Sequence, residues 1–160
     1  MPGVEIVLAL AAGAGSLFLG GFYYAFSNSV IEGLDSLEPD HGAAAMVRIN
    51  ELVPRSLFLP LFFLTALSAL GAAAADLTLH GDTISLLIGA GSALHLLASF
   101  LSTIIRNVPL NNALARASEQ DRGRVWATYR RDWLRWNNLR VAASLAGGML
   151  LLCGTLARLL

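Results

Sequence analysis

Residues 6–26, IVLALAAGAGSLFLGGFYYAF, run for twenty-one positions without a charge. A helix needs about 20 apolar residues to cross the hydrocarbon of a bilayer, and a backbone in lipid must close its hydrogen bonds within its own segment. The stretch is therefore predicted to be a membrane-spanning helix. Three more of that kind follow: Ser56 to Ala75, Thr83 to Ile105, and about Leu139 to Ala157. Pro60 falls in the first turn of the second span, where a missing N–H costs little. The predicted fold is all-α, an integral membrane four-helix bundle forming one domain over residues 1–160, with two polar loops that carry short helices.

Composition agrees with lipid as the solvent. Of 160 residues, 56% are hydrophobic and 14% charged, against roughly 45–50% and 25% in soluble domains. At this length no soluble catalytic module is expected beside the membrane part, so any site is expected to be built from the bundle and its loops. Net charge is zero, but there is no Lys, and eight of the eleven Arg residues fall between Arg106 and Arg140. With four spans, residues 27–55 and 106–138 lie on one side, and both termini share the other with the turn from Asp76 to Asp82. Ten Arg residues lie in the long loops or at the span end beside them, and only Arg158 lies opposite. The positive-inside tendency then predicts a multi-pass protein of the cell membrane with cytoplasmic long loops and both termini outside. Glu5, with no basic residue before the first apolar run, argues against a cleaved signal peptide, so the first span is expected to be retained. Cys153 is the only cysteine. It excludes an intrachain disulfide and is read as a packing residue.

In the first loop, Asp40 is the expected N-cap of a short helix carrying Met46, Ile49 and Val53 at helical spacing, closed by Pro54. In the second, Pro109 is expected to break the third helix. Ser118 followed by Asp121 resembles a capping box. No stop precedes the fourth span, so residues 119–157 read as one long helix whose first half projects from the membrane.

That projecting half places Trp126, Tyr129, Trp133, Trp136 and Arg140 at spacings of three and four, on one face. Two readings are open, a belt at headgroup depth or the wall of a pocket. Asparagines gather at the same level: Asn28, Asn50, Asn107, Asn111, Asn112, Asn137 and Asn138. Each amide can cap a helix end, but together with Arg106 and Arg140 they could line a hydrogen-bonding mouth over an apolar bundle, suited to a flat molecule with phenolic or enolate oxygens. His41, His80 and His95 fall at three depths, so no metal site is expected from them, and no cofactor is predicted. His95, mid-span, should face the interior, bonded to a hydroxyl such as Ser68 or Ser144, with a relay or ligand contact as the other reading. His41 is the candidate general base. Asp35 and Asp132 are alternatives, Asp132 being more simply paired with Arg residues of its own helix. Gly13, Gly15, Gly20 and Gly21 read as close helix packing. No phosphate loop, hydrolase triad or nucleic-acid groove is visible.

Five strings carry a resemblance: YAFSNSV at 24–30, AMVRIN at 45–50, Leu59-Pro60, RNVPLNNAL at 106–114 and RWNNLR at 135–140. In this order and spacing the chain resembles the anthrone oxygenase-like family, long catalogued as a domain of unknown function. The resemblance implies a small four-span membrane protein. Some relatives oxidise anthrones to anthraquinones with dioxygen and no evident cofactor, so it also implies a monooxygenase-type oxidoreductase acting on an apolar polycyclic or phenolic substrate. On that basis His41, Arg106 and Arg140 are candidate catalytic groups. Asn28, Asn50, Asn107, Asn111, Asn112, Trp133, Trp136, Asn137 and Asn138 are candidate substrate contacts. Two positions depart from the family pattern: Asn138, where His is common, and Glu32, where Pro is usual. The alternative function is a non-enzymatic membrane protein that binds lipidic ligands or serves as an assembly subunit. Lipid is the expected partner, nucleic acid is not, and homo-oligomerisation is left open.

Overall fold

A continuous apolar run of this length satisfies its backbone in lipid as a helix, and all regular structure among the described residues is helical. The computed structural model describes residues 3–160. In order, it contains α1 (Val4–Ala25), a π turn (Phe26–Val30), α2 (Ile31–Asp35), α3 (Pro39–Leu52), a 3-10 turn (Val53–Arg55), α4 (Phe58–Leu79) and α5 (Thr83–Ala93). Two π-helical stretches (Leu94–Leu101 and Thr103–Asn107), α6 (Val108–Arg116) and α7 (Glu119–Leu159) complete it. Val4–Asp35, Phe58–Leu79, Thr83–Arg116 and Glu119–Leu159 form four rods long and apolar enough to cross a membrane. The chain is a multi-pass membrane protein built as a four-helix bundle.

Pro109 does not break the third rod. The N–H of Val108 bonds to the carbonyl of Thr103, five residues back, so the donor that Pro109 lacks falls at a change of register and the helix runs on to Arg116. Asp40 does not cap α3 either. Glu38, in extended conformation, is the N-cap, and Pro39 begins the helix, where its fixed φ suits the first turn. Ser118 does cap α7, accepting the N–H of Asp121 at 3.2 Å.

Between helices in lipid, close approach replaces the hydrophobic drive, and small residues permit it. A Cβ on Gly91 would stand 2.7 Å from the carbonyl oxygen of Gly147, and one on Gly148 would stand 2.8 Å from Leu17. These contacts hold α7 between α1 and α5. Gly21, read from the sequence as a packing glycine, instead faces open space, and the side chain of Cys153 is exposed on the outside of the bundle rather than packed in it.

The two ends of the bundle are closed differently. At the terminus end, Arg158 donates to Asp76 at 2.8 Å and to Asp82 at 2.7 Å, while Asp82 caps α5 by accepting the N–H of Ser85 at 3.0 Å. At the loop end, Ile31, Met46, Leu114, Trp126, Tyr129 and Trp133 pack into one apolar cluster, so α2, α3 and α6 form a roof against the projecting half of α7.

Candidate functional site: a cavity around a buried arginine

The helical period carries the interior face of α7 through Trp126, Tyr129, Trp133, Asn137, Arg140 and Ser144, all buried. The third rod presents His95, Ser99, Thr103 and Asn107, also buried, with half-buried Asn111 above them. These five stand four residues apart. In a regular α-helix each step of four overshoots by about 40°, which would carry the stripe round to the opposite face. The π-helical stretches turn more slowly and keep it facing inward.

Under the roof the two faces enclose a half-open cavity of about 100 Å³, walled by Phe22, Tyr23, Phe26, Phe58, Thr103 and Trp133, with Arg140 among its lining residues. Arg140 is 5% exposed. Its Nη1 donates to the Thr103 hydroxyl at 3.2 Å and its Nη2 to the Asn137 carbonyl oxygen at 2.5 Å. The guanidinium lies 4.3 Å from the centre of the Tyr23 ring and 5.5 Å from that of Trp133. Asn137 is fixed in turn by donating to the carbonyl of Tyr23 at 2.7 Å and to the Ser27 hydroxyl at 2.6 Å.

Two features set this arginine apart. It is buried and, among the described residues, no carboxylate pairs with it; Arg48, Arg124, Arg130, Arg131 and Arg158 form ion pairs, and Arg106 and Arg135, which form none, are exposed. Around the same cavity, four buried polar atoms have no partner: Arg140 Nε, Trp133 Nε1, the Tyr23 hydroxyl and Asn107 Oδ1. Buried polar atoms without partners are uncommon because each costs its desolvation. Here two donors, Arg140 Nε and Trp133 Nε1, and the Tyr23 hydroxyl occur with one acceptor, Asn107 Oδ1, on residues that line the same cavity.

The residues singled out in the sequence divide into two groups. Arg140, Trp133, Asn50, Asn107, Asn111 and Asn137 line the cavity. Asn50 and Asn111 meet the Tyr129 hydroxyl, at 3.4 and 2.9 Å. Arg106 and Trp136 do not line it: they stack on each other at 4.8 Å and face a separate groove. Asn28 and Asn138 border a shallow recess on the outer surface with Tyr24 and Ser27, so the His common in the family at position 138 would not project into this cavity. Asn112 and His41 are exposed. His41 stands on α3 and is not among the residues that line the cavity. Asp35 is held by Arg130 and by the Trp126 indole at 3.1 Å, and Asp132 by the adjacent Arg131 at 2.8 Å.

His95 lies deeper, fully buried, with Nδ1 2.9 Å from the hydroxyl of Ser16, not of Ser68 or Ser144. Ser16 also donates to the Ser144 carbonyl at 3.0 Å. Tyr23 and Thr103, which line the cavity, are not legible as site residues, since in a span they read as ordinary membrane sequence. The four-residue spacing from His95 to Asn111 is the signal that could have found Thr103.

A bundle of four spans with an arginine-centred, aromatic-walled cavity near one end defines a class: small multi-pass membrane proteins with a polar cavity built into the helix bundle. The family model described as anthrone oxygenase matches residues 53–150, a stretch that includes Thr103, Asn107, Trp133, Asn137 and Arg140, and the chain belongs to that family. No curated protein and no solved structure matches it.

Proposed function

We propose that this protein is a cofactor-independent oxygenase of anthrone-like carbon acids and that Arg140 holds the oxygen on which negative charge develops. The observation that carries the reading is the buried guanidinium without a carboxylate, set among aromatic walls with the Nε of Arg140 and the Nε1 of Trp133 as unpartnered donors. An anthrone's activated CH₂ loses a proton to water at the cavity's open side to give an electron-rich enolate. The enolate adds to dioxygen as a carbon-bound peroxide anion, which takes a proton back from water and then loses H₂O to leave the quinone carbonyl, so that CH₂ and O₂ become C=O and H₂O. The chain contributes stabilisation of the oxyanion by donors already in place between aromatic walls. The cavity takes the oxygen-bearing edge of a flat ligand, with the remaining rings at its open side. By the arginine asymmetry the loop end, and the cavity with it, faces the cytoplasm.

Arg140→Gln tests this through anthrone-dependent oxygen uptake. Loss of one preorganised oxyanion donor costs about 10²–10³ in kcat. Arg140→Gln removes a buried charge that has no counter-ion, but also its bonds to Thr103 and Asn137 and its contacts with the Tyr23 and Trp133 rings, so melting in detergent is followed beside activity to show that the variant is folded. Unchanged oxygen uptake in Arg140→Gln would overturn the role of Arg140. Retention of an anthrone by wild type with no oxygen consumption would identify a binder of lipidic molecules instead.

A further inference from the structure

Arg106 and Trp136 lie outside the cavity, and their surroundings define a second site. The Arg106 guanidinium covers the Trp136 ring at 4.8 Å. Beside them a groove of about 430 Å³ is lined by Ile105, Pro109, Asp132 and Arg135. Arg106 and Arg135 form no ion pair among the described residues, and the one carboxylate in the groove, Asp132, is engaged by Arg131 at 2.8 Å. The groove therefore presents an indole and two guanidiniums that form no ion pair among the described residues, against the single carboxylate of Asp132, which also feels the charge of Arg135. Its position is equally specific. Ile105 ends the apolar run of the third rod and Leu139 begins that of the fourth, and both are exposed, at 53% and 41%. An apolar face thus continues below the two arginines at the level where hydrocarbon gives way to headgroups.

We infer that this groove is a binding site for an anionic phospholipid, with the phosphate between Arg106 and Arg135, the glycerol region against Trp136 and an acyl chain along Ile105 and Leu139. Guanidiniums recognise phosphate through paired, charge-assisted donors. An indole settles at headgroup depth, and two unpaired cations favour an anionic over a zwitterionic lipid. Free phosphate shares the headgroup chemistry but gains nothing from the apolar strip.

The test uses the full chain in nanodiscs whose phosphatidylglycerol or phosphatidylcholine is brominated near the headgroup end of the acyl chain, with tryptophan quenching as the readout. Trp126 and Trp133 are buried at 3% and 4% exposure, so Trp136 dominates the response, and Trp136→Phe should remove most of it. At equal mole fraction, brominated phosphatidylglycerol should quench wild type more strongly than brominated phosphatidylcholine. In the double variant Arg106→Gln, Arg135→Gln, the preference for phosphatidylglycerol should fall by about thirtyfold, from two basic residues at the membrane surface. Both positions are exposed, so folding should be unaffected. Equal quenching of wild type by the two lipids, or an unchanged preference in the double variant, would overturn the site. Protection by millimolar inorganic phosphate as complete as that given by unbrominated phosphatidylglycerol would overturn the lipid as occupant.

Discussion

Trp133 and Trp136 differ by one helical step of three and by almost everything else. At about 100° per residue, Trp136 stands roughly 60° from Trp133 and a further 40° from Asn137, which takes it from the cavity wall to the groove outside. Trp133→Ala should cost about 3–5 kcal/mol, as core Trp truncations do, and should lower ligand binding at Arg140. Trp136→Ala should cost far less and leave that binding intact. Thermal melting in detergent, together with binding of an anthrone under nitrogen, separates the two, and similar losses in both variants would contradict the placement. The pair also marks how far the sequence could be read. A face of Trp126, Tyr129, Trp133, Trp136 and Arg140 was visible from spacing alone. Which edge of that face turns inward depends on where α1 and the third rod press against it, and a single helical period does not contain that information.

At the scale of elements, the spans were legible because a bilayer admits so few alternatives: a charge-free run of about 20 residues has one available structure. What lay beyond each run was less so. The third rod continues past Pro109 because π-helical turns absorb the proline, and those same turns align His95 with Asn107. Nothing in residues 94–107 signals a π-helix by composition. The clamp at the other end gives a prediction tied to pH. Hydrogen bonds from Arg158, with the Ser85 N–H, hold the Asp82 carboxyl well below the usual carboxylate range. A depressed carboxylate stabilises the fold fully above its unfolded pKa of about 3.9 and loses that contribution as pH falls toward the folded value. Melting temperature in detergent should therefore decline below about pH 4, and Arg158→Gln should flatten that part of the profile while lowering stability at neutral pH. An acid limb of unchanged steepness in Arg158→Gln would show that Asp82 is not its source.

For the whole molecule, the arginine distribution predicts that the loop end, and the cavity beneath its roof, faces the cytoplasm. Ser118 and Thr78 are both exposed and lie at opposite ends of the bundle. Single cysteines at these positions, in a background with Cys153 replaced, report the orientation with an impermeant thiol reagent on intact cells: residue 78 should label and residue 118 should not. The reverse pattern would place the loop end outside. The roof at that end, from Met46 to Trp126, was foreseen only as two short loop helices. Their burial of the projecting half of α7 arises from contacts among α2, α3 and α6 that no one segment encodes.

The length of α7 bears on how a ligand would arrive. Its 41 residues, at 1.5 Å each, make a rod of about 60 Å, twice the thickness of the hydrocarbon layer, and Arg140 sits near its midpoint, one residue past the start of its apolar half. The cavity therefore lies at the depth where a poorly water-soluble aromatic accumulates when it partitions into a leaflet. For such a solute the bilayer is a two-dimensional reservoir that delivers it by lateral diffusion. The concentration that governs occupancy is then moles per mole of lipid, and adding empty vesicles at constant total solute would dilute the supply.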